Sequence, residues 1–325
     1  MSRAIVVREP GGPEVLRPAE VPVPDPAPGQ VVVEVAAAGV NFIDVYQRSG
    51  AYPVPPPFVP GLEGAGTVLA TAPDVSGVAV GDRVAWVNQP GGYAQHVAVP
   101  AAATVPVPAG VSAETAAAAL LQGMTAHYLV HDTYPVRPGD TVLVHAAAGG
   151  MGRMLTQLAR RRGARVVGTV SSAAKEEIAR AAGADEVVLY DHADVAADVR
   201  ALTGGEGVAA VYDGVGAPTF DASLAALRPR GTLALYGQSG GAVPPFDPQR
   251  LNAAGSVLLA RPNLSHHIAT RHELLARAGA VFGLIAAGHL NVHIGARYPL
   301  AEAPAAHTDL AGRRSTGKLL LLPHT

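Results

Sequence analysis

The run Val142-Leu143-Val144-His145-Ala146-Ala147-Ala148-Gly149-Gly150-Met151-Gly152 sets a cluster of glycines between a strand-like stretch and a helix-like one. That context is what a dinucleotide-binding turn requires. In the G-x-G-x-x-G register Ala147 replaces the first glycine, and Gly149 and Gly152 supply the other two. Glycine at 149 lets the backbone approach a pyrophosphate, and glycine at 152 lets the helix pack close to the strand. The start of the helix then offers N–H groups and a positive dipole end to the phosphates. A tight turn without a ligand is the plainer reading; the strand–turn–helix context favours the nucleotide.

In the NAD pattern a carboxylate lies about 20 residues further on and bonds the ribose 2′-OH. Here the next strand ends Gly168-Thr169-Val170-Ser171-Ser172, and Lys175 follows. Hydroxyls such as that of Ser171, with a lysine cation, suit a 2′-phosphate that an Asp would repel. The expected cofactor is therefore NADPH. Lys175 and Lys318 are the only lysines in the chain, which singles both out, although a solvated first-turn residue is the plain alternative for Lys175.

Other patterns carry less. Gly237-Gln238-Ser239-Gly240-Gly241 fits the G-x-S-x-G esterase pattern. A nucleophile elbow must lead into a helix, and Ala242-Val243-Pro244-Pro245 follows instead. Gly312 to Lys318 resembles a phosphate-binding loop but lacks the Ser or Thr after the lysine, and Leu319–Leu322 reads as a strand. His289 and His293 have i, i+4 spacing, but Gly288 and Asn291 interrupt a helix there. His266 and His267 are adjacent and point apart. Cys is absent, which excludes disulfides and every zinc site that needs thiolate.

The elements that must hold these residues follow from pattern. The 325 residues suggest two domains. With 49% apolar and 15% charged residues, the chain buries a sizeable core. Lys+Arg of 24 against Asp+Glu of 26 disfavours nucleic acid or an anionic membrane as partner. The N-terminal residues lack a signal-peptide pattern, and Ala278–Leu290 falls short of the ~18 residues of a membrane span. A cytoplasmic location is expected.

The first 110 residues read as β-rich, with strands at Ala4–Arg8, Gln30–Ala37, Gly66–Ala72, Arg83–Val87 and Tyr93–Val99, and one helix near Phe42–Ser49. From about Leu120, strands alternate with helices: Thr141–His145, Met151–Arg162, Arg165–Val170, Ala173–Ala182, Glu186–Leu189, Ala209–Tyr212, Phe220–Leu227 and Thr232–Tyr236. This is βαβ repetition and predicts an α/β fold with a Rossmann-type doubly wound parallel sheet. Ser256–Ala260 should end that sheet. A long helix at roughly Ser265–Ala287 follows, then a short β-like tail whose texture matches the first segment. The second domain is thus expected as an insertion: residues 121–264 within a β-rich domain of residues 1–120 and 265–325.

With that order in place, the sequence resembles the medium-chain dehydrogenase/reductase superfamily, and within it the NADPH:quinone oxidoreductase (zeta-crystallin-like) branch. The resemblance covers nearly the whole chain. It rests on Gly11-Gly12-Pro13-Glu14-Val15-Leu16, Gly39-Val40-Asn41-Phe42-Ile43-Asp44, Gly61-Leu62-Glu63-Gly64-Ala65-Gly66, Gly81-Asp82-Arg83-Val84, His145 to Gly152 and Tyr212-Asp213-Gly214-Val215-Gly216. The zinc alcohol dehydrogenases of the superfamily place a Cys after the Gly-Val and a His in Gly-His-Glu. Here Asn41 and Leu62 stand at those places.

The resemblance implies a GroES-like β-rich domain, metal-free hydride transfer from NADPH to a quinone, and a homodimer paired through Ser256–Ala260. It implies that Asn41, Tyr46 and Tyr52 border the substrate slot, with Asn41 holding the nicotinamide or polarising a quinone oxygen. It places Tyr128 by the nicotinamide and ribose, and Gly149 and Gly150 at the pyrophosphate. Lys175, Tyr190 and Arg313 resemble a 2′-phosphate clamp. Gly237 and Ser239 sit at a strand's carboxyl end, and Asn263 should reach the carboxamide. Relatives often carry Lys where this chain has Gln122. Two other readings stay open: an NADPH-dependent enoyl or alkenal double-bond reductase, and an NADPH-binding protein with a non-catalytic role.

Overall fold

The structure, a computed structural model, describes residues 1–190 and 194–325. In chain order it runs β1 (Ser2–Val6), β2 (Arg17–Val21), β3 (Gln30–Val40), α1 (Phe42–Arg48), β4 (Glu63–Thr71), β5 (Arg83–Val87), β6 (His96–Pro100), β7 (Thr104–Pro106) and α2 (Ala113–Tyr128). Then come β8 (Thr141–Val144), α3 (Gly150–Arg161), β9 (Arg165–Val170), α4 (Ala173–Ala181), β10 (Glu186–Leu189), α5 (Val195–Leu202), β11 (Val208–Asp213), α6 (Phe220–Ala226), β12 (Leu227–Leu235), α7 (Gln249–Ala253) and β13 (Leu258–Ala260). The chain ends with α8 (Arg271–Ala286), β14 (Ile294–Pro299), α9 (Ala303–Ala311) and β15 (Lys318–Leu322). It forms two compact units, Met1–Met124 with Ile268–Thr325, and Thr125–His267. No helix among the described residues is long and apolar enough to cross a membrane.

In the first unit a sheet of order β14-β15-β3-β4-β5-β7 is organised by β3, which also pairs β6. The eleven residues of β3 are long enough for two partners along one edge. Gln30–Glu34 faces β6, and Ala38–Val40 faces β15, both antiparallel. The C-terminal strand thus completes the sheet begun by the N-terminal segment, which the shared texture of the two ends anticipated. Its core packs Val33, Val35, Val68, Trp86, Tyr93, Leu319 and Leu321.

In the second unit the six strands are ordered β10-β9-β8-β11-β12-β13, every pairing parallel. Numbered within the unit this is 3-2-1-4-5-6, the dinucleotide-binding order, with its switch point between β8 and β11. Ligands of open α/β sheets sit at the carboxyl ends of the strands flanking that point.

Most expected elements form within one to three residues of their predicted limits, because glycines end them. Gly163 and Gly183 follow α3 and α4 with φ of 86° and 106°, the left-handed conformation that closes a helix. Four expectations change. The strand expected from Thr232 begins at Leu227, and the helix before it stops at Ala226. The long helix begins at Arg271, not Ser265, because Thr270 and Glu273 form a capping box and Leu264–His267 is a separate 3-10 turn. The last parallel strand begins at Leu258, since Ser256 takes a φ of 56° that no strand tolerates. The strand expected at Tyr93–Val99 begins at His96, with Tyr93 preceding it.

The sequence pattern leaves β2, β7, α2, α5, α7 and α9 unmarked. The buried face of α9 is Ala303, Ala306 and His307, so no large apolar residue marks its period.

The turn from β8 into α3 is the tightest junction of the second unit. A Cβ at Gly152 would press on the Ala146 carbonyl oxygen and stand 2.6 Å from the Ala147 Cα, whereas one at Gly149 would meet nothing nearer than 3.3 Å. Gly152→Ala should therefore cost about 1–3 kcal/mol by overpacking, and Gly149→Ala much less. Urea denaturation of both variants checks this; equal losses would refute it.

Candidate active site

The glycine-rich turn begins at His145, directly after β8. Ala146 takes a φ of 50°, and the Gly149 amide donates to its carbonyl at 2.9 Å. The N-cap of α3 is Gly149, so no side-chain oxygen occupies the amides of the first helical turn. A glycine cap at a helix start is a cradle for an anion.

The residues read as a 2′-phosphate clamp collect at the adjoining strand ends. In the parallel β9–β10 pair Leu189 lies opposite Val170, so Tyr190 and Ser171 are the next residues out on neighbouring strands. The Tyr190 amide donates to Val170 O at 3.2 Å. Lys175 lies in the first turn of α4 and is half-buried, as are Ser171 and Tyr190. No carboxylate lies between the end of β9 and Lys175.

Beneath the turn lies a buried ladder that the sequence reading did not assemble. His145 Nδ1 is 2.9 Å from Thr169 Oγ1, and its Nε2 is 3.0 Å from Ser223 Oγ. The Ser223 hydroxyl donates to Asp213 Oδ2 at 2.8 Å. Asp213 also accepts from the Thr219 hydroxyl at 2.7 Å and from the amides of Val215 and Gly216 at 2.7 and 3.0 Å. Because Ser223 gives its proton to Asp213, its oxygen must accept from His145 Nε2–H, and Nδ1 then accepts from Thr169. Burial lowers the imidazole's pKa, against an opposing pull from Asp213, which suits this neutral tautomer. The ladder ties β9, β8, α6 and β11 together under the site.

Gly237 and Ser239 lie beyond the carboxyl end of β12, zipped to the β11 loop by Gly237 N–H to Asp213 O at 3.4 Å and Ser239 N–H to Gly214 O at 3.0 Å. A Cβ at 237 would lie 2.8 Å from Gly214 O, so this seam needs glycine. Asn263 caps the following 3-10 turn, its Oδ1 accepting from the amide and hydroxyl of Ser265 at 3.0 and 2.9 Å. Tyr128, 1% exposed, stacks on His267 at 4.0 Å between centroids and 1° between planes.

The first unit carries the second constellation. Asn41 follows β3 as the N-cap of α1. The register places Val40 opposite Leu319 and Ala38 opposite Gly64, so Asn41, Glu63 and Lys318 share one end of three adjacent strands. Lys318 Nζ donates to Glu63 Oε2 and to Asn41 Oδ1, both at 2.6 Å. Asn41 Nδ2 donates to Glu63 Oε2 at 2.9 Å and leans on Gly39 O at 3.4 Å. Glu63 Oε1 accepts from the Leu121 amide in α2 at 2.6 Å. Glu63 and Lys318 are wholly buried, and Asn41 is 4% exposed. A Cβ at Gly39 would collide with Glu63 Oε2 and stand 2.8 Å from Lys318 Cε, so glycine opens the space for the pair.

Behind it lies a further chain. Asp44 Oδ2 accepts from the Asn41 amide at 2.8 Å and the Tyr93 hydroxyl at 3.0 Å, and Tyr93 Oη lies 3.0 Å from His307 Nε2. Tyr93 donates to Asp44, so His307 Nε2–H donates to Tyr93. Asp44 Oδ1, His307 Nδ1 and two guanidinium nitrogens of Arg48 are buried without a hydrogen-bond partner. Tyr46 and Tyr52 are half-buried, with ring centroids 5.1 Å apart, and Phe42 continues the aromatic face at 6.1 Å from Tyr46.

Arg313 is exposed with a φ of 56°, and its neighbour Arg314 is engaged with Asp309 at 2.7 Å. Gln122 keeps Oε1 buried without a partner. Glu63, Lys318, Asp44, Tyr93 and His307 were not among the residues singled out for the site from sequence. The signals were present: Glu63 lies in the Gly61–Gly66 motif, and Lys318 is one of two lysines.

Comparison with known proteins adds the family. The alcohol dehydrogenase GroES-like domain matches residues 27–109, and the zinc-binding dehydrogenase domain matches residues 150–273. The chain is 42% identical to a quinone oxidoreductase of Pseudomonas aeruginosa, covering 99% of this chain and 100% of that protein. It is 41% identical to a 2-haloacrylate reductase of a Burkholderia species, covering 99% of each. A mycobacterial structure solved as a complex with NADPH superimposes with a TM-score of 0.96 at 52% identity, covering 99% of this chain and 100% of that one.

Zinc does not fit the residues present here. The chain has no thiolate, and Asn41 and Leu62 offer no ligand set. The polar ends of Asn41 are already turned to Lys318 and Glu63. No group of three or more His, Cys, Asp or Glu among the described residues could hold a metal.

The Asp44–Tyr93–His307 chain has a pH signature. Burial lifts Asp44 to about 6 from 3.8, and burial drives His307 down to about 3 from 6.5. Raised in the fold, Asp44 withdraws about 3 kcal/mol of stability as pH rises from about 4 to 6. Lowered in the fold, His307 withdraws stability as pH falls from about 6.5 to 3. The two slopes oppose each other between about pH 4 and 6. Asp44→Asn should leave stability falling with acid across that window, and His307→Gln should leave it falling with alkali. Urea midpoints against pH for both variants check this, and identical profiles would sink it.

Proposed function

The chain belongs to the quinone oxidoreductase branch of the medium-chain dehydrogenase/reductase superfamily, and from that membership we propose that it is a metal-free NADPH:quinone reductase. The observation that carries the cofactor choice is the group of Ser171, Lys175 and Tyr190 at the ends of β9 and β10, with no carboxylate between the end of β9 and Lys175.

When bound, NADPH supplies the hydride; the protein supplies binding, orientation and charge complementarity. The glycine-capped start of α3 receives the pyrophosphate, with Gly149, Gly150 and Gly152 allowing the approach. The NADPH structure of the mycobacterial relative, 52% identical over nearly the whole chain, supports this reading. Lys175, Ser171 and Tyr190 hold the 2′-phosphate, joined by Arg313, whose planar fork matches phosphate geometry. Tyr128, Gly237, Ser239 and Asn263 border the ribose and nicotinamide. Asn263 acts there as a donor, since its oxygen already caps the 3-10 turn.

Tyr46 and Tyr52 offer an aromatic wall to a flat acceptor. A quinone is electrophilic enough to need orientation more than polarisation. Two copies paired through β13, whose Leu258 is 63% exposed, form the working dimer.

The likeness to a 2-haloacrylate reductase supports a second reading, reduction of an electron-poor carbon–carbon double bond at the same site. Following NADPH and NADH oxidation with a small quinone and with a panel of enones separates the two. Quinone-dependent turnover with NADPH preference supports the first reading; enone turnover alone supports the second; cofactor binding without turnover on either leaves a non-catalytic NADPH protein. Lys175→Ala should weaken NADPH binding roughly tenfold to hundredfold, the worth of a charged hydrogen bond, and leave NADH binding nearly unchanged. Equal losses for both cofactors would remove Lys175 from the 2′-phosphate.

A further inference from the structure

A dinucleotide crosses an open parallel sheet of this kind at its switch point, which in the second unit lies between β8 and β11. Val144 lies opposite Tyr212, so His145 and Asp213 are the next residues out, one on each flanking strand. The glycine-rich turn runs on from His145, and the loop 214–216 runs on from Asp213. The backbone pairing of the two strands ends with His145 N–H to Tyr212 O at 3.1 Å. Beyond that point a side-chain bridge takes over. His145 Nε2 is 3.0 Å from Ser223 Oγ, which donates to Asp213 Oδ2 at 2.8 Å. His145 is 1% exposed, and Thr169, Ser223 and Asp213 are wholly buried.

Each end of the bridge also holds its own loop. Thr169, whose Oγ1 meets His145 Nδ1 at 2.9 Å, accepts the Ala147 amide on its carbonyl at 3.0 Å. Asp213 accepts the Val215 and Gly216 amides on Oδ1 and the Tyr236 amide on its carbonyl. The bridge has one polarity. A carboxylate only accepts, so Ser223 gives its proton to Asp213 and receives one from Nε2–H, and Thr169 gives its proton to Nδ1.

We infer that His145 is a positioning residue for the cofactor: with Ser223 and Asp213 it spans the switch point and sets the distance between the glycine-rich turn and the loop 214–216, the two banks that a dinucleotide bridges. This rests on the reading of the glycine-rich turn as the pyrophosphate site. His145 touches neither cofactor nor acceptor; it acts through the backbone of its own turn. A ligand that stays on one bank is indifferent to the distance, and one that crosses reads it.

The test compares two such ligands on the full chain. NADPH crosses; adenosine 2′,5′-bisphosphate carries the 2′-phosphate and stops at the first phosphate. Ser223→Ala deletes the middle of the bridge. Thr169→Val removes the hydroxyl that fixes the ring, and Thr169→Ser keeps it. NADPH affinity should fall roughly tenfold in Ser223→Ala and in Thr169→Val, the upper range of one net hydrogen bond, and recover in Thr169→Ser, while the bisphosphate stays within about twofold throughout.

Equal losses for both ligands mark a purely structural network and overturn the inference. So does the absence of any loss, or a loss in Thr169→Ser as large as in Thr169→Val. An unmodified protein that binds NADPH but not the bisphosphate strikes the reading of the turn and the phosphate clamp beside it; the inference then falls with its premise, and that ligand tells the two failures apart.

A second measurement needs no variant. Nitrogen-15 NMR of the unmodified protein at neutral pH should show the His145 ring with its proton on Nε2 and Nδ1 bare. A proton on Nδ1 would leave Nε2 facing a hydroxyl already committed to Asp213, and it overturns the inference.

Discussion

A lysine and a glutamate buried side by side constrain the first unit more than any other interaction. Taking each charge out of water costs several kcal/mol, and only close geometry and further hydrogen bonds offset it. Lys318 meets Glu63 and Asn41 at 2.6 Å each, and Glu63 meets Lys318, Asn41 and the Leu121 amide. The Lys318, Glu63 and Asn41 contacts are set by backbone register, and the Leu121 amide is added by α2. The antiparallel seams β15–β3 and β3–β4 bring the three strand ends level, and Gly39 leaves the space above the strand. A slip of one residue in either seam would turn the pair to the opposite face of the sheet. The pair therefore ties sheet register to the orientation of Asn41.

The second unit solves a related problem without opposed charges. The carboxyl ends of β8, β9 and β11 carry polar groups that must be satisfied beneath a turn whose helix cap is a glycine. His145 stays neutral and passes a one-way sequence of hydrogen bonds from Thr169 through Ser223 to Asp213. Asp213 takes two hydroxyls and two amides, which fixes the loop 214–216 and, through the seam with Gly237 and Ser239, the next loop as well. Satisfied buried networks of this kind rigidify their surroundings. A binding surface built from loop backbone needs that rigidity.

The parallel sheet was legible because its signals are local. Gly163 and Gly183 close α3 and α4 ahead of the next strands, and β9 and β10 form over the residues the pattern marked, Arg165–Val170 and Glu186–Leu189. The glycine-rich turn was legible for the same reason, since chemistry and geometry lie in one stretch of eleven residues. The Asn41 constellation was not, because its members are separated by 22 and 255 residues and meet only through register. A single sequence shows Glu63 inside a glycine motif and Lys318 inside a misleading loop pattern, and nothing local joins them. Helix α9 escaped for a different reason. A face of alanine and one histidine buries well against a sheet yet has no hydrophobic period to read.

The two lysines show why side-chain type matters in a chain whose other basic residues are arginines. An arginine presents a planar fork suited to carboxylates and phosphates from the side; a lysine ends in a compact charge with donors that swing to any direction. At position 318 the space above Gly39 is shallow, and two acceptors on different strands must be met by one atom, which an ammonium does and a fork does not. Lys175 stands in the first turn of α4, just after the end of β9. Arginine appears instead where the partner is planar, as in the Arg314–Asp309 contact. The same rule separates the proposed roles of Lys175 and Arg313. In those roles the lysine would supply a mobile charge and the arginine a fixed geometry.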